Sequence, residues 1–519
     1  MMVHLNDVTD VQQNSEPALI KELPPPSADS GLDNTFCKHG WEVQVECTAD
    51  SDESVSNGEE KRWIGWVKRQ GGVPNSPLVD SIFHLILLLL IWSFLLAVFR
   101  DEALPEGNVF NIFILLVLSN IAGILFRLIK LPGLFGMLLT GIILRSTDVY
   151  QLSGPFVEIS SIAREFSLAI ILTKAGLALD PEILRKKAFT VVKLSLLPCI
   201  GESIAAAVGA HYIVGMPWLW AILLGFVLSP ISPAVVVPTL ISLKERGYGE
   251  DKGIATLVIA ASAIDDVFSI VAFGVVLKMI FSAGEGVSTT IINGVVDLFG
   301  GILAGLTWAL VSSLLPNQTD IAVVSKRSAM LGFGGVSLVL GTSALNHSVI
   351  GSMGSITASL FANIAWCAQE PSNLKHNPVA NVLSVVWRYT EPMLFAMVGA
   401  EIDIRAIPPS MIVYGIAILA VGLVGRVLVC YLALFGAGLN MRETIFVVLA
   451  WLPKATVQAA ISAQALDIVR ARKDVIASQD QLELAKWILN TAILSIVITA
   501  PIGSIAINVL GSRLLNKTI

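Results

Sequence analysis

A chain of 519 residues that is 54% hydrophobic and only 14% charged is not an ordinary soluble domain, in which about a quarter of residues carry charge. Its mean hydropathy is strongly positive, which places it in lipid. The net charge of −6 gives no reason to expect a nucleic-acid partner, whereas membrane lipids are expected ones.

Residues 1–62 are the polar exception, with thirteen acids against four bases and the run Pro24-Pro25-Pro26. This composition predicts a disordered acidic tail over residues 1–76. It lacks the basic, then apolar start of a signal peptide, so the first membrane segment is expected to act as an internal signal. From residue 77 onward about fourteen apolar segments are long enough, some with help from neighbours, to cross a hydrocarbon layer of ~30 Å. They begin near Pro77, Asn108, Leu131, Ile162, Ala188, Pro217, Gly253, Ser288, Ser328, His347, Ser384, Pro409, Glu443 and Trp487. With the amino end inside, the inner loops hold eighteen Lys and Arg against six in the outer loops. This asymmetry fits fourteen crossings with both termini cytoplasmic, in the plasma membrane or an organelle membrane. The five cysteines, Cys37, Cys47, Cys199, Cys367 and Cys430, show neither metal-ligand spacing nor a disulfide framework, and no cofactor is expected.

In chain order, the first of the charges assigned to the site is Glu202, in the helix before the first break. A break follows at Leu228-Ser229-Pro230-Ile231-Ser232-Pro233-Ala234, then the adjacent acids Asp265 and Asp266 near mid-bilayer. Arg426 precedes a second break at Trp451-Leu452-Pro453-Lys454-Ala455-Thr456, 220 residues after the first. The stretch Ala175–Asp180 matches Val398–Asp403 at an offset near 223, and Glu202 and Arg426 are 224 apart. Offsets that agree indicate a duplication, and seven crossings between the halves would make the repeats inverted. Opposite charges at equivalent positions could then meet across the repeat axis.

A charge at the centre of a membrane helix costs roughly 2.5–3.5 kcal/mol, so each needs a partner or a task. On a helix Asp265 and Asp266 point about 100° apart, and one can face a cavity while the other faces a neighbouring helix. Carboxylates are hard oxygen ligands for a small alkali cation, and each can instead take a proton. A site that holds one or the other exchanges them. The breaks present backbone carbonyls and half-helix ends, with the hydroxyls of Ser232 and Thr456 beside them; for those two a bond to their own helix backbone is an equally good reading. Lys454 would neutralise the half-helix ends or pair with an aspartate. An arginine does not release its proton in practice, so Arg426 fixed on Glu202 predicts one cation per proton, an electroneutral exchange. Lys174, Lys193, Lys278 and Arg388 are expected to snorkel to the interface, Glu391-Pro392 to break its helix, and His84, His211 and His347 to be interfacial.

The motifs Ala263-Ile264-Asp265-Asp266-Val267, Ser232-Pro233-Ala234-Val235-Val236-Val237-Pro238 and Trp451-Leu452-Pro453-Lys454-Ala455-Thr456-Val457-Gln458 resemble those of the cation/proton antiporter superfamily, above all the animal sodium/proton antiporters of solute carrier family 9, subfamily B. The resemblance covers roughly residues 77–515. It implies an all-α polytopic fold like that of bacterial sodium/proton antiporters, with inverted repeats and two crossed, broken helices. It also implies a homodimer in which a dimerisation domain anchors a six-helix core that moves like an elevator, with the helix Pro77–Phe99 at the dimer contact. The domains would then be 77–186, the extra helix and first part of the dimerisation domain; 187–281, the first core half; 282–406, linker and dimerisation helices; and 407–515, the second core half. Asp266 is implied as the main cation ligand and proton carrier, Asp265 as its partner, and Glu202 with Arg426 as a supporting ion pair. Bacterial relatives commonly carry lysine where this chain has Arg426, a departure that argues against their two-proton exchange.

The activity expected is Na⁺ or Li⁺ exchanged for H⁺, and not enzymatic. Potassium/proton exchange is the nearest alternative, and a cation channel a more distant one, since it needs a continuous pore. An intramembrane aspartyl protease would take its two aspartates from different helices.

Overall fold

The computed structural model describes residues 77–179, 181–281, 287–345, 347–369, 377–471 and 479–517. The expected acidic tail lies outside them, with Cys37 and Cys47, as do Asp180 and Asn346. Contacts divide the chain into Met1–Asp80, of which the first turn of one helix is described, and Ser81–Ile519, which holds every other element.

No strand occurs among the described residues. A backbone in lipid must satisfy its own polar groups, and long apolar runs do so as helices. In chain order these are α1 Pro77–Phe99, α2 Asn108–Leu128, α3 Gly133–Ser146, α4 Phe156–Ala178, α5 Pro181–Val214, α6 Trp218–Leu228, α7 Pro233–Glu245, α8 Ile254–Phe281 and α9 Val287–Leu314. They continue as α10 Val323–Ala344, α11 Ser348–Gln369, α12 Pro378–Gly399, α13 Pro409–Ala433, α14 Met441–Ala450, α15 Thr456–Ser462, α16 Gln464–Ala471 and α17 Gln479–Leu514. Prolines open α7, α12 and α13, where the missing N–H costs nothing. Asn440 and Glu443 close a capping box at the start of α14.

Counting α6–α7 and α14–α16 as one interrupted crossing each gives fourteen segments, every one starting within eight residues of its expected start. Ten are long and apolar enough to cross a membrane on length and composition alone. The other four are the 14-residue α3, the charge-bearing α4 and α12, and the interrupted α14–α16. Loops that alternating crossings put on one face do meet. Arg405 reaches Asp148 on one face, and Tyr248 pairs with Lys517 on the other.

Helix α5 packs along α13, and both contact α6. Helix α8 lies against α5, α6 and α7, and α17 against α7, α13 and α14. Elsewhere α2, α3 and α12 form one group and α9, α10 and α11 another, α4 packs against α10, α11 and α12 and so joins the two, and α8 also meets α9 and α11. The α5–α13 approach depends on small residues. A Cβ on Gly425 would come within 2.6 Å of Ala205, and one on Gly422 within 3.4 Å of the Glu202 side chain.

Two expectations need correction. Helix α12 runs unbroken through Pro392, because neighbouring helices stabilise a proline turn in a membrane helix; Glu391 instead meets Arg127 at 3.0 Å. Lys278 does not extend to the interface. Its Nζ donates to Asp297 of α9 at 2.9 Å, and the same carboxylate meets His347 at 2.8 Å. A buried acid on the neighbouring helix is within reach and holds the ammonium there.

Candidate functional site

The two interrupted segments meet at their breaks. Between α6 and α7, residues 229–232 are not helical, and between α14 and α15 residues 451–455 are not. Pro230, Pro233 and Pro453 supply no N–H, and the helical ladder stops around them. Each break then satisfies backbone groups of the other. Ser232 N donates to the Pro453 carbonyl at 2.9 Å. Gln458 Nε2 donates to the Pro230 carbonyl at 2.6 Å, while its Oε1 accepts from Ala455 N at 2.8 Å. Lys454 Nζ donates to the Ser229 carbonyl at 3.1 Å, and Lys454 N to Thr499 Oγ1 of α17 at 2.9 Å.

Five charged side chains converge on this crossing. Glu202 from α5, Arg426 from α13, Lys454 from the second break and Asp265 of α8 are fully buried, and Asp266 is 6% exposed. Arg426 Nε donates to Glu202 Oε2, and Arg426 Nη1 to the Trp451 carbonyl at 3.1 Å. Glu202 Oε2 also accepts from Lys454 Nζ at 2.6 Å. Of the two roles foreseen for Lys454, the geometry has it at a half-helix end, the Ser229 carbonyl, and paired with a glutamate rather than an aspartate.

The aspartates are unequal. Asp265 Oδ2 accepts from Ile231 N at 3.0 Å and stands 3.8 Å from Arg426 Nη2. Asp266 has no hydrogen bond or ion pair among the described residues, and its Oδ1 is buried without a partner. Asp265 Oδ1, Ser232 Oγ and Thr456 Oγ1 are likewise buried and unpartnered. Elsewhere in the bundle hydroxyls do bond to their own helix, as Ser195 does to the Val191 carbonyl at 2.7 Å and Thr173 to that of Ala169 at 2.8 Å. Ser232 and Thr456 make no such bond, so four hard oxygens at the crossing keep their coordinating capacity. This donor set suits a small alkali cation as cargo.

Formal charge adds a count. Glu202, Asp265 and Asp266 supply three negative charges, Arg426 and Lys454 two positive ones. The ionised cluster therefore carries one excess negative charge, which a single Na⁺ or a single proton neutralises.

Sequence reasoning overlooked the Ile231 N–H, the Ser229 carbonyl and the bracing role of Gln458. For Gln458 a signal was present: glutamine three residues past a helix start is the reciprocal half of a capping box.

Paired half-helices crossing over buried carboxylates in an all-helical membrane fold define a secondary transporter. The chain belongs to the sodium/hydrogen exchanger family: the family described as "Sodium/hydrogen exchanger, transmembrane" matches residues 112–512. It is 36% identical over 457 residues to human sodium/hydrogen exchanger 9B2, spanning 86% of this chain and 82% of that one. It is likewise 36% identical to the Xenopus tropicalis 9B2 protein, over 84% of this chain and 80% of the relative. With human sodium/hydrogen exchanger 9B1 it shares 35% identity over 90% of this chain and 89% of the other. Its fold is similar to that of the sodium proton antiporter MjNhaP1 from Methanocaldococcus jannaschii, with a TM-score of 0.62 at 19% identity, covering 77% of this chain and 97% of that one. The chain is thus an integral membrane protein of the cation/proton antiport class, and not an enzyme.

Proposed function

We propose that the protein exchanges Na⁺, or Li⁺, for H⁺ one for one, so that net charge does not cross the membrane. The observation that carries this reading is the count at the crossing, three carboxylates against two cations, one of them an arginine that does not titrate. Asp266, which has no hydrogen bond or ion pair among the described residues, is the group that holds the cation or the proton. Asp265, held by the Ile231 N–H and facing Arg426, is its support. Ser232 and Thr456 complete the oxygen shell, and sodium is the cation named in the relatives' descriptions.

Access alternates as the core halves, 187–281 and 407–515, move together against the other helices in an elevator-like motion. The bonds between the two breaks support this reading, because they make the crossing one rigid piece. Helix α1 exposes Phe83, Leu90 and Phe94 and no part of its most apolar stretch is buried, which suits the contact of a homodimer. The basic loops around Lys244, Arg246 and Lys517 face the cytoplasm in this reading, and the loops of Asp148 and Arg405 and the helix of Asp467 face outward.

Proteoliposomes loaded with a pH-sensitive dye test it. Na⁺ added to the unaltered protein should drive proton movement, and Asp266→Cys should abolish it. Undiminished Na⁺-driven flux in that variant would remove Asp266 from its role.

A further inference from the structure

Several carboxylates on the membrane helices lie outside the crossing, and one of them, Glu165, borders a cavity. Glu165, half-buried on α4, accepts a hydrogen bond from Ser343 Oγ of α10 at 3.1 Å. It lines a cavity of about 20 Å³, room for roughly one water. Ser343, Ser348, Ser352 and Gln464 give that cavity further polar atoms, in a part of the bundle otherwise packed with apolar side chains.

The cavity's place in the fold is informative. Its wall on α8 is formed by Ile270, Phe273 and Gly274, about one to two turns beyond Asp266 toward the end of the helix assigned to the outer face; each turn advances about 5.4 Å. Gln464 opens α16, just past the half-helix α15 that starts at Thr456. The opposite walls come from α4, α10 and α11. The chamber thus lies between the helices of the crossing and those around them, on the outer side of the aspartates.

A network of ion pairs begins at the residue next to Glu165. Arg164 Nη2 holds both oxygens of Asp467 at 2.8 Å and its Nη1 meets Glu401 at 3.1 Å. Arg470 holds the other Glu401 oxygen at 2.7 Å, and Ser161 adds a bond to Asp467 at 3.0 Å. These two arginines and two acids balance, and Glu165 stands outside the set, bonded to a neutral hydroxyl. A carboxylate at a small chamber with few polar partners and no opposite charge of its own attracts cations.

We propose that this chamber is the outer leg of the ion route and that Glu165 is a relay carboxylate, which collects the cation or proton there before it reaches Asp266. The inference rests on the antiport reading. The chamber would exchange ions with the outer solution as the two groups of helices shift.

Sealed right-side-out and inside-out vesicles test it, with initial rates measured against Na⁺ at alkaline pH on the cation side, where protons do not compete. Glu165→Gln keeps a hydrogen-bonding group and removes the charge. It should raise KM for Na⁺ about three- to tenfold at the outer face and leave the inner-face KM unchanged. Ser343→Ala, which removes the tie to α10 and keeps the charge, should change KM at either face less than about twofold. An outer KM unchanged in Glu165→Gln, equal changes at both faces, or an equal effect of Ser343→Ala would overturn the proposal. A second measurement does not depend on Glu165→Gln folding. In Ser352→Cys, an impermeant thiol reagent applied during turnover should block exchange from the outer face and not from the inner, with the unaltered chain as control; no block from outside would also overturn it. Absence of Na⁺-driven proton flux in the unaltered chain would instead remove the antiport reading itself.

Discussion

Two ionic clusters on α4–α8 and α12–α16 differ in one respect that matters for transport. At the outer end, Arg164 and Arg470 face Glu401 and Asp467, two charges against two, with Glu401 and Asp467 13% and 21% exposed at their side chains. At the crossing, Arg426 and Lys454 face Glu202, Asp265 and Asp266, two against three, almost entirely out of solvent. A balanced cluster asks nothing of the solution. An unbalanced one in a low-dielectric setting needs one more positive charge in every state of the protein, and whatever small cation or proton can reach it will supply that charge.

The largest expected effect comes from removing a permanent charge at the crossing. Arg426→Ala leaves Glu202 with Lys454 alone and takes the nearest cation from Asp265. The loss of stability should be about 3–5 kcal/mol, read as a drop in the detergent melting temperature together with loss of exchange. Arg164→Ala removes an equal formal charge from the outer cluster, where water can reach the stranded acids. The cost there should be about 1–3 kcal/mol, with exchange retained. Equal losses in the two variants would erase the contrast between the clusters.

The smallest effect belongs to a third group, fully at the surface. Hydrogen bonds from Arg405 hold the carboxyls of Asp148 and Asp403 below the usual carboxylate range. A carboxylate with a lowered folded pKa adds stability at pH above its unfolded value, and that stability is lost as pH falls through the folded value. Arg405→Ala should therefore lower the melting temperature slightly at neutral pH, and the difference from the unaltered chain should begin to shrink below about pH 4 and vanish in acid below the lowered folded values of the two carboxyls. A difference that persists there would mean that Arg405 acts through packing.

Much of this was readable from the sequence because prolines and charges stand out in an apolar chain. The fourteen segments, the breaks at Pro230 and Pro453 and the meeting of Glu202 with Arg426 all follow from residues that lipid penalises. What could not be read is side-chain direction across the crossing. Lys454 turns to Glu202 and Ser229, and Lys278 to Asp297, because the rotation of each helix about its axis is set by packing on its neighbours. Pro392 misled for a related reason, since a proline interrupts a membrane helix only where the surroundings offer its freed carbonyl something better than a helix turn. Glu165 drew no notice in the sequence, where it is one acid in a charged stretch of α4. Its position against α8 and α10 gives it meaning.

The excess of one negative charge is tested most directly by voltage. In proteoliposomes with the membrane potential clamped by potassium and valinomycin, one-for-one exchange predicts that the initial rate of Na⁺-driven proton movement is the same at all clamped potentials. A rate that rises or falls steadily with the clamped voltage would contradict the count at the crossing, and with it the assignment of Arg426 and Lys454 as fixed partners of Glu202.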